Sequence, residues 1–250
     1  MVESNMENWN LILGQRIASR HKKNSFISCI TKAERGMGKS MYNLKSMAQA
    51  YYILNEDGDE KRAWGQALDS FIFTPTQLMD IIDTSIAEDR IHPVICIDDA
   101  AVHFSGYLFF VNVYLAALMN AAFDTIRTAT SAVLINCPQK SRLLKALRNY
   151  DDHEITLYAA GKNPYEKKAV AIKWYSLPDG TKRFRKEWED HFSVYVPNWV
   201  YHEYLVMRKR YLAEINEELK KLKDKLGSQK QKGRGKVDEE KAEDELFNYD

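Results

Sequence analysis

Cysteine is scarce in this chain: three residues among 250, an odd and widely spaced set at Cys29, Cys96 and Cys137, each inside an apolar run. That count and spacing argue against a disulfide framework or a zinc site, and the thiols read as small buried side chains. Long hydrophobic runs are also missing. The most apolar segment, "GYLFFVNVYLAALMNAAF", is interrupted by Asn112 and Asn120 and stops at Asp124, short of the roughly 18 uninterrupted residues that cross a bilayer. The first residues, "MVESNMENWNLILGQRIASRHKK", lack a basic start leading into an apolar stretch, so no secretion signal is read and the expected location is intracellular, with no membrane partner. Charge of one sign is lacking too, the formal net charge being +1. Any footprint for nucleic acid must therefore be local.

What is present is a core and a pattern. At 45% hydrophobic and 28% charged, the chain can bury one full core with a small appendage. Trp9, Ile12, Leu13, Arg16 and Ile17 are spaced for an amphipathic helix, and "SFISCITKA" (25–33) reads as a buried strand running into a glycine turn. A helix is expected from Lys39 to the "EDGD" turn, then a short helix (60–68), a strand (70–73), and a helix from Thr76 to Glu88 entered through Pro75. "VICI" (94–97) predicts a strand, 107–127 a long helix, 131–136 another strand, "QKSRLLKALRNY" a helix, and "HEITLYA" a further strand. Continuous apolar strands alternating with helices predict an α/β fold, a parallel sheet covered on both faces, over residues 1–160. From 161 to 198 the alternation changes to period two around Pro178-Asp179-Gly180, which predicts an antiparallel β extension of the same domain. A charged helix is expected over 199–226, and a disordered charged tail over 227–250.

The chemistry concentrates at "AERGMGKS", residues 33–40. The spacing is that of a phosphate-binding P-loop (Walker A), with Ala33 where the first glycine commonly stands, an apolar strand before it and a helix after it. Amides from Glu34 through Arg35, Gly36, Met37, Gly38, Lys39 and Ser40, with Met41 opening the helix, would face a phosphate. Lys39 would neutralise the β and γ phosphates of ATP, and the Ser40 hydroxyl would ligate Mg2+. The alternative is a Gly-rich turn that only joins strand to helix. Against it stands "VICIDD", an apolar strand ending in two carboxylates as in a Walker B element. Asp98 would hold the metal through water and Asp99 would polarise the attacking water.

Asn136, ending the strand "VLINC", stands where a γ-phosphate sensor is carried when a strand lies between the two Walker strands; its alternative is an Asn opening a turn before Pro138. Arg127, Arg142 and Arg148 are candidates for a finger acting in a neighbouring subunit, or solvated surface residues. His103, Ser141 and Ser193 carry no nucleophile or metal signature.

The segments "NWNLILGQRI", "AERGMGKS", "AWGQALDSFIF", "HPVICIDDAAVHF" and "VYVPNWVYHEYLVMRKRYL" resemble the P-loop ATPases of spindle-shaped archaeal viruses (fuselloviruses) and related plasmids, over roughly residues 8–220. That family is compared with AAA+ replication initiators, which often end Walker B in Asp-Asp. The resemblance implies a viral or plasmid ATPase in the host cytoplasm, forming homo-oligomers and working with DNA and replication proteins in initiation or helicase loading. The strands after residue 160 depart from an initiator's helical lid, and no helix-turn-helix follows. A genome-packaging motor or a nucleotide-operated switch are the alternatives.

Two basic segments are candidates for DNA. Residues 220–236 hold seven Lys and one Arg against one Asp, followed by a stretch with seven acidic residues; this could grip phosphates or be a plain solvated tail. On the hairpin, Lys182, Phe184 and Lys186 are expected on one face and Arg183 and Arg185 on the other, so that only one face would meet DNA.

Overall fold

The computed structural model describes residues 10–100, 104, 113–143 and 153–231. In chain order these form α1 (Ile12–Lys22), β1 (Ile27–Lys32), α2 (Lys39–Asn55), α3 (Glu60–Asp69), β2 (Phe71–Ile72), α4 (Pro75–Glu88) and β3 (Ile95–Ile97). There follow α5 (Val113–Thr125), β4 (Ala132–Cys137), β5 (His153–Ala159), β6 (Glu166–Ser176), β7 (Lys182–Ser193) and α6 (Asn198–Gln231). The chain divides into two compact units, Met1–Glu203 and Tyr204–Asp250. All seven strands belong to the first.

The strands form one sheet in the order β2-β3-β4-β1-β5-β6-β7. The first five are parallel, while β5–β6 and β6–β7 are antiparallel. β1 and β4 are buried along nearly their whole length, as expected for strands covered on both sides. Their side chains still divide by period two. Ile30, Ile95, Ile97, Val133 and Ile135 join Leu78 and Ile82 of α4 and Met119 and Phe123 of α5 in one apolar cluster. The alternate positions, Thr31, Cys96 and Asn136, turn to the other face and meet Asn43 of α2. That parity decides which side chains reach the phosphate loop.

Local chemistry explains several boundaries. Thr74 and Gln77 form a reciprocal capping box at the start of α4, with Pro75 in the first turn. Asp59 accepts the Arg62 amide at 3.0 Å to open α3. α1 has no side-chain cap of its own. Its Ile12 and Leu13 amides donate instead to the Asp190 carboxylate of β7, at 2.7 and 3.3 Å. Gly14 allows α1 to lie close on α2, since a Cβ there would stand 2.8 Å from the Ser46 carbonyl oxygen.

Some sequence expectations need correcting. The 70–73 and 94–97 strands shorten to Phe71–Ile72 and Ile95–Ile97. The segment after β4 begins as a 3₁₀ turn, Lys140–Arg142, and residues 144–150 of its expected helix lie outside the described residues. So does 107–112 of the helix expected over 107–127, which ends as the 3₁₀ turn Ile126–Thr128. The helix expected to stop at 226 continues through Gln231, because Lys and Gln are good helix formers and a single Gly227 costs only about 1 kcal/mol; 232–250 lie outside the described residues. On the hairpin, Lys182 through Lys186 are exposed on both faces.

Candidate phosphate site

The P-loop follows β1 directly. Gly36 and Gly38 hold φ at +81° and +87°, a left-handed region that glycine enters without strain. Gly38 is also the N-cap of α2 and provides no side chain to its first-turn amides. A helix N-terminus left uncapped in this way presents N–H groups and a positive dipole end to an anion. Lys39 folds over the loop, its Nζ donating to the carbonyls of Ala33 at 2.8 Å and Glu34 at 3.0 Å. Partial burial holds the Lys39 pKa below its ordinary value, opposed by the neighbouring Asp98 and Asp99 charges. Glu34, Arg35 and Gly36 are exposed, Met37 is half-buried, and Met41 is buried in the first turn of α2.

Asp98 ends the chain of alternate positions that face α2. Its backbone amide donates to Ile72 O at 2.8 Å, and its buried carboxylate receives the Ser40 hydroxyl at 3.0 Å to each oxygen. The P-loop serine and the β3 carboxylate thus meet directly. Both are hard oxygen donors of the kind that hold Mg2+. Asp99, next in sequence, sits at φ +46°, a left-handed conformation that Asp adopts more readily than most non-glycine residues.

Behind Asp98 lies a relay of buried side chains. Asn136 donates to Asp98 Oδ1 at 2.8 Å and accepts from Asn43 at 2.7 Å, and Asn43 accepts from Thr31 at 3.1 Å. The second Asn136 amide hydrogen is directed at Cys96 Sγ, 3.9 Å away. Asn136 thus meets Asp98, its amide nitrogen donating to Asp98 Oδ1 and facing Cys96 Sγ. Asn43 was not found from the sequence, although it stands four residues after Lys39, on the same helix face. Thr31 is one of three polar residues in β1, with Ser28 and Lys32, so polarity alone did not single it out.

A second charged cluster borders the loop. Glu154 of β5 bridges Lys32, at 2.6 Å, and Lys140, at 2.9 Å. Burial pushes its carboxyl pKa up, but the two lysine hydrogen bonds outweigh that and leave it below the ordinary value. Arg127 and Arg142 are exposed, while Arg148 and His103 lie outside the described residues. Among the described residues no cluster of three or more His, Cys, Asp or Glu is placed for a metal, and no helix is long and apolar enough to cross a membrane.

The antiparallel extension reaches this site. Val194, just after β7, packs on the loop so closely that a Cβ on Gly38 would lie 2.6 Å from its Cγ1. Farther along β7, Asp190 accepts the Tyr42 hydroxyl at 2.7 Å in addition to the α1 amides. Burial raises the Asp190 pKa, only partly offset by those hydrogen bonds.

No protein-family profile matches the chain. Among solved structures, the KaiC-like protein PH0186 from Pyrococcus horikoshii OT3 aligns over 66% of this chain and 89% of its own at 12% identity, with a TM-score of 0.34. That likeness is too low to add to the fold read from the strand order. A curated protein, the uncharacterised B-251 of Sulfolobus spindle-shape virus 1, is 30% identical over 230 residues, 90% of this chain and 89% of that protein. At that identity over nearly both full lengths, this chain belongs to the family of the virus protein B-251.

Proposed function

We propose that the chain is a Mg2+-dependent ATPase that works on the DNA of a virus or related mobile element. The observation that carries this reading is the meeting of the Ser40 hydroxyl with both Asp98 oxygens at 3.0 Å, beside an uncapped helix N-terminus and a lysine folded over its own loop. A phosphate chain would replace the Ala33 and Glu34 carbonyls as the partner of Lys39, and the loop amides would hold its oxygens. Ser40 and Asp98 would hold Mg2+, which supplies neutralisation of charge on the phosphoryl oxygens. Asp99 orients the attacking water, and Asn136 fixes the Asp98 carboxylate through the buried relay.

For DNA, the support is the outer end of the β6–β7 hairpin. Lys182, Arg183, Arg185 and Lys186 stand exposed there with Tyr175 and with Trp174 against Phe184, ring centroids 5.3 Å apart. Cations interleaved with exposed aromatics suit phosphates and bases together. The resemblance to initiators favours a role in replication initiation or helicase loading by a homo-oligomer. A DNA-translocating motor is the second reading, favoured by β6 and β7 continuing the sheet where an initiator would carry a helical lid.

The test is ATP hydrolysis with and without single- and double-stranded DNA, using Lys39→Ala as the blank. DNA-stimulated turnover absent from the blank is expected. Turnover equal in the blank would overturn the phosphate-site assignment, and turnover indifferent to DNA would overturn the DNA assignment. Directional movement along DNA would select the motor over the initiator.

A further inference from the structure

The sheet order gives a bound nucleotide a direction. The P-loop stands at the carboxyl end of β1, and Asp98 lies on one side of it, across β4, at the end of β3. The terminal phosphate belongs on that side, so the rest of the nucleotide leaves toward β5, β6 and β7. At the same edge of the sheet β5 ends, β6 begins and β7 ends, because β6 runs antiparallel to β5 and β7 to β6.

Two tyrosines flank this edge. Tyr165 precedes β6 and Tyr195 follows β7; their rings lie 4.6 Å apart at 33°, with 46% and 56% of their surface exposed. They are fixed by backbone. The Val194 amide donates to Tyr165 O at 2.9 Å, Asn163 Oδ1 accepts the Tyr165 amide at 3.0 Å, and Ser193 Oγ accepts the Tyr195 amide at 3.2 Å. Val194, between Ser193 and Tyr195, is the residue that packs on Gly38. An exposed aromatic pair is thus anchored through Val194 to the phosphate loop, on the side of the sheet away from β3.

We propose that Tyr165 and Tyr195 form the wall on which the base of the bound nucleoside triphosphate stacks. This rests on the phosphate-site reading above. A nucleobase is a flat π-system that gains from an aromatic face whatever its hydrogen-bonding edge. The wall therefore gives affinity with little discrimination between bases.

The experiment measures calorimetric binding of ATP and of inorganic tripolyphosphate, both with Mg2+, to the full chain and its variants. Tyr195→Ala should raise the Kd for ATP by about fivefold to a hundredfold and leave that for tripolyphosphate unchanged. Tyr195→Phe, which keeps the ring, should bind ATP like the parent. Lys39→Ala should weaken both ligands. If Tyr165→Ala and Tyr195→Ala both leave ATP affinity intact while Lys39→Ala lowers it, the base lies elsewhere and only the wall is overturned. An equal loss of ATP and tripolyphosphate in Tyr195→Ala would overturn it too, by assigning the effect to Val194 and the loop. If the parent binds neither ligand, the phosphate site itself falls.

Discussion

Gly38→Ala separates two costs that the structure locates independently. The first is backbone strain: at φ +87° an L-residue loses about 1–2 kcal/mol relative to glycine. The second is a clash, since the new methyl would stand 2.6 Å from Val194 Cγ1, where carbon atoms rest at about 3.5–4.0 Å. Overpacking of this kind costs about 1–3 kcal/mol. The total, about 2–5 kcal/mol, would lower Tm by roughly 4–20 °C for a unit of this size. Gly36→Ala is the control, because Gly36 has a similar φ of +81° with nothing within 4 Å of its Cβ position, so only the strain should appear. Val194→Ala should cancel most of the clash in the Gly38→Ala background. Equilibrium urea unfolding of the four members of the cycle gives the coupling as a shift in midpoint at constant slope. Additivity to within about 0.5 kcal/mol, or equal losses in Gly36→Ala and Gly38→Ala, would refute the contact between the extension and the loop.

Asp190→Ala should cost about 3–5 kcal/mol in urea unfolding, since it strips the Tyr42 hydroxyl and the Ile12 and Leu13 amides of their acceptor; Asp190→Asn, which keeps one carbonyl oxygen, should recover part of it. Lys45 is buried in α2, and burial lowers its pKa from 10.5 to about 8. Its charged form therefore opposes folding by at most about 3 kcal/mol at pH 7. The unfolded chain holds that proton up to the higher pKa, so stability should rise between about pH 8 and pH 10 as the folded state sheds the charge. Lys45→Met should be the more stable at pH 7 and lose that advantage across the same window, as read from unfolding midpoints in a pH series.

The candidate phosphate loop was legible because its pattern is local: two glycines, Lys39 and Ser40 within one turn, a strand before and a helix after. Asp98 was legible because carboxylates closing an apolar strand have few structural reasons to be there. The partners that complete the site were not, and for a common reason. Asn43, Thr31 and Asn136 meet only because period-two parity brings one face of β1 and β4 against α2, and parity can be assigned only after strand ends and neighbours are known. The hairpin was visible from its Pro-Asp-Gly turn, yet its inner alternation is broken by a bulge at Glu187, where Ala171 pairs with Trp188 and Ile172 with Lys186. Arg16 of α1 uses that irregularity, stacking 4.4 Å above Trp188 and reaching Glu187 at 3.5 Å.

These contacts give β7 a role that its place at the end of the sheet does not suggest. One strand caps α1 through Asp190, holds α2 through Tyr42, and is followed at once by Val194, which packs on Gly38. Its other end carries the exposed basic and aromatic side chains of the hairpin. DNA at the hairpin tip and a nucleotide at the loop, as proposed above, would meet the same strand from opposite ends. The Gly38 and Val194 cycle consequently tests more than packing. If Val194→Ala leaves nucleotide binding intact but abolishes any response of turnover to DNA, the strand is the path between them; if the response survives, DNA and nucleotide communicate elsewhere.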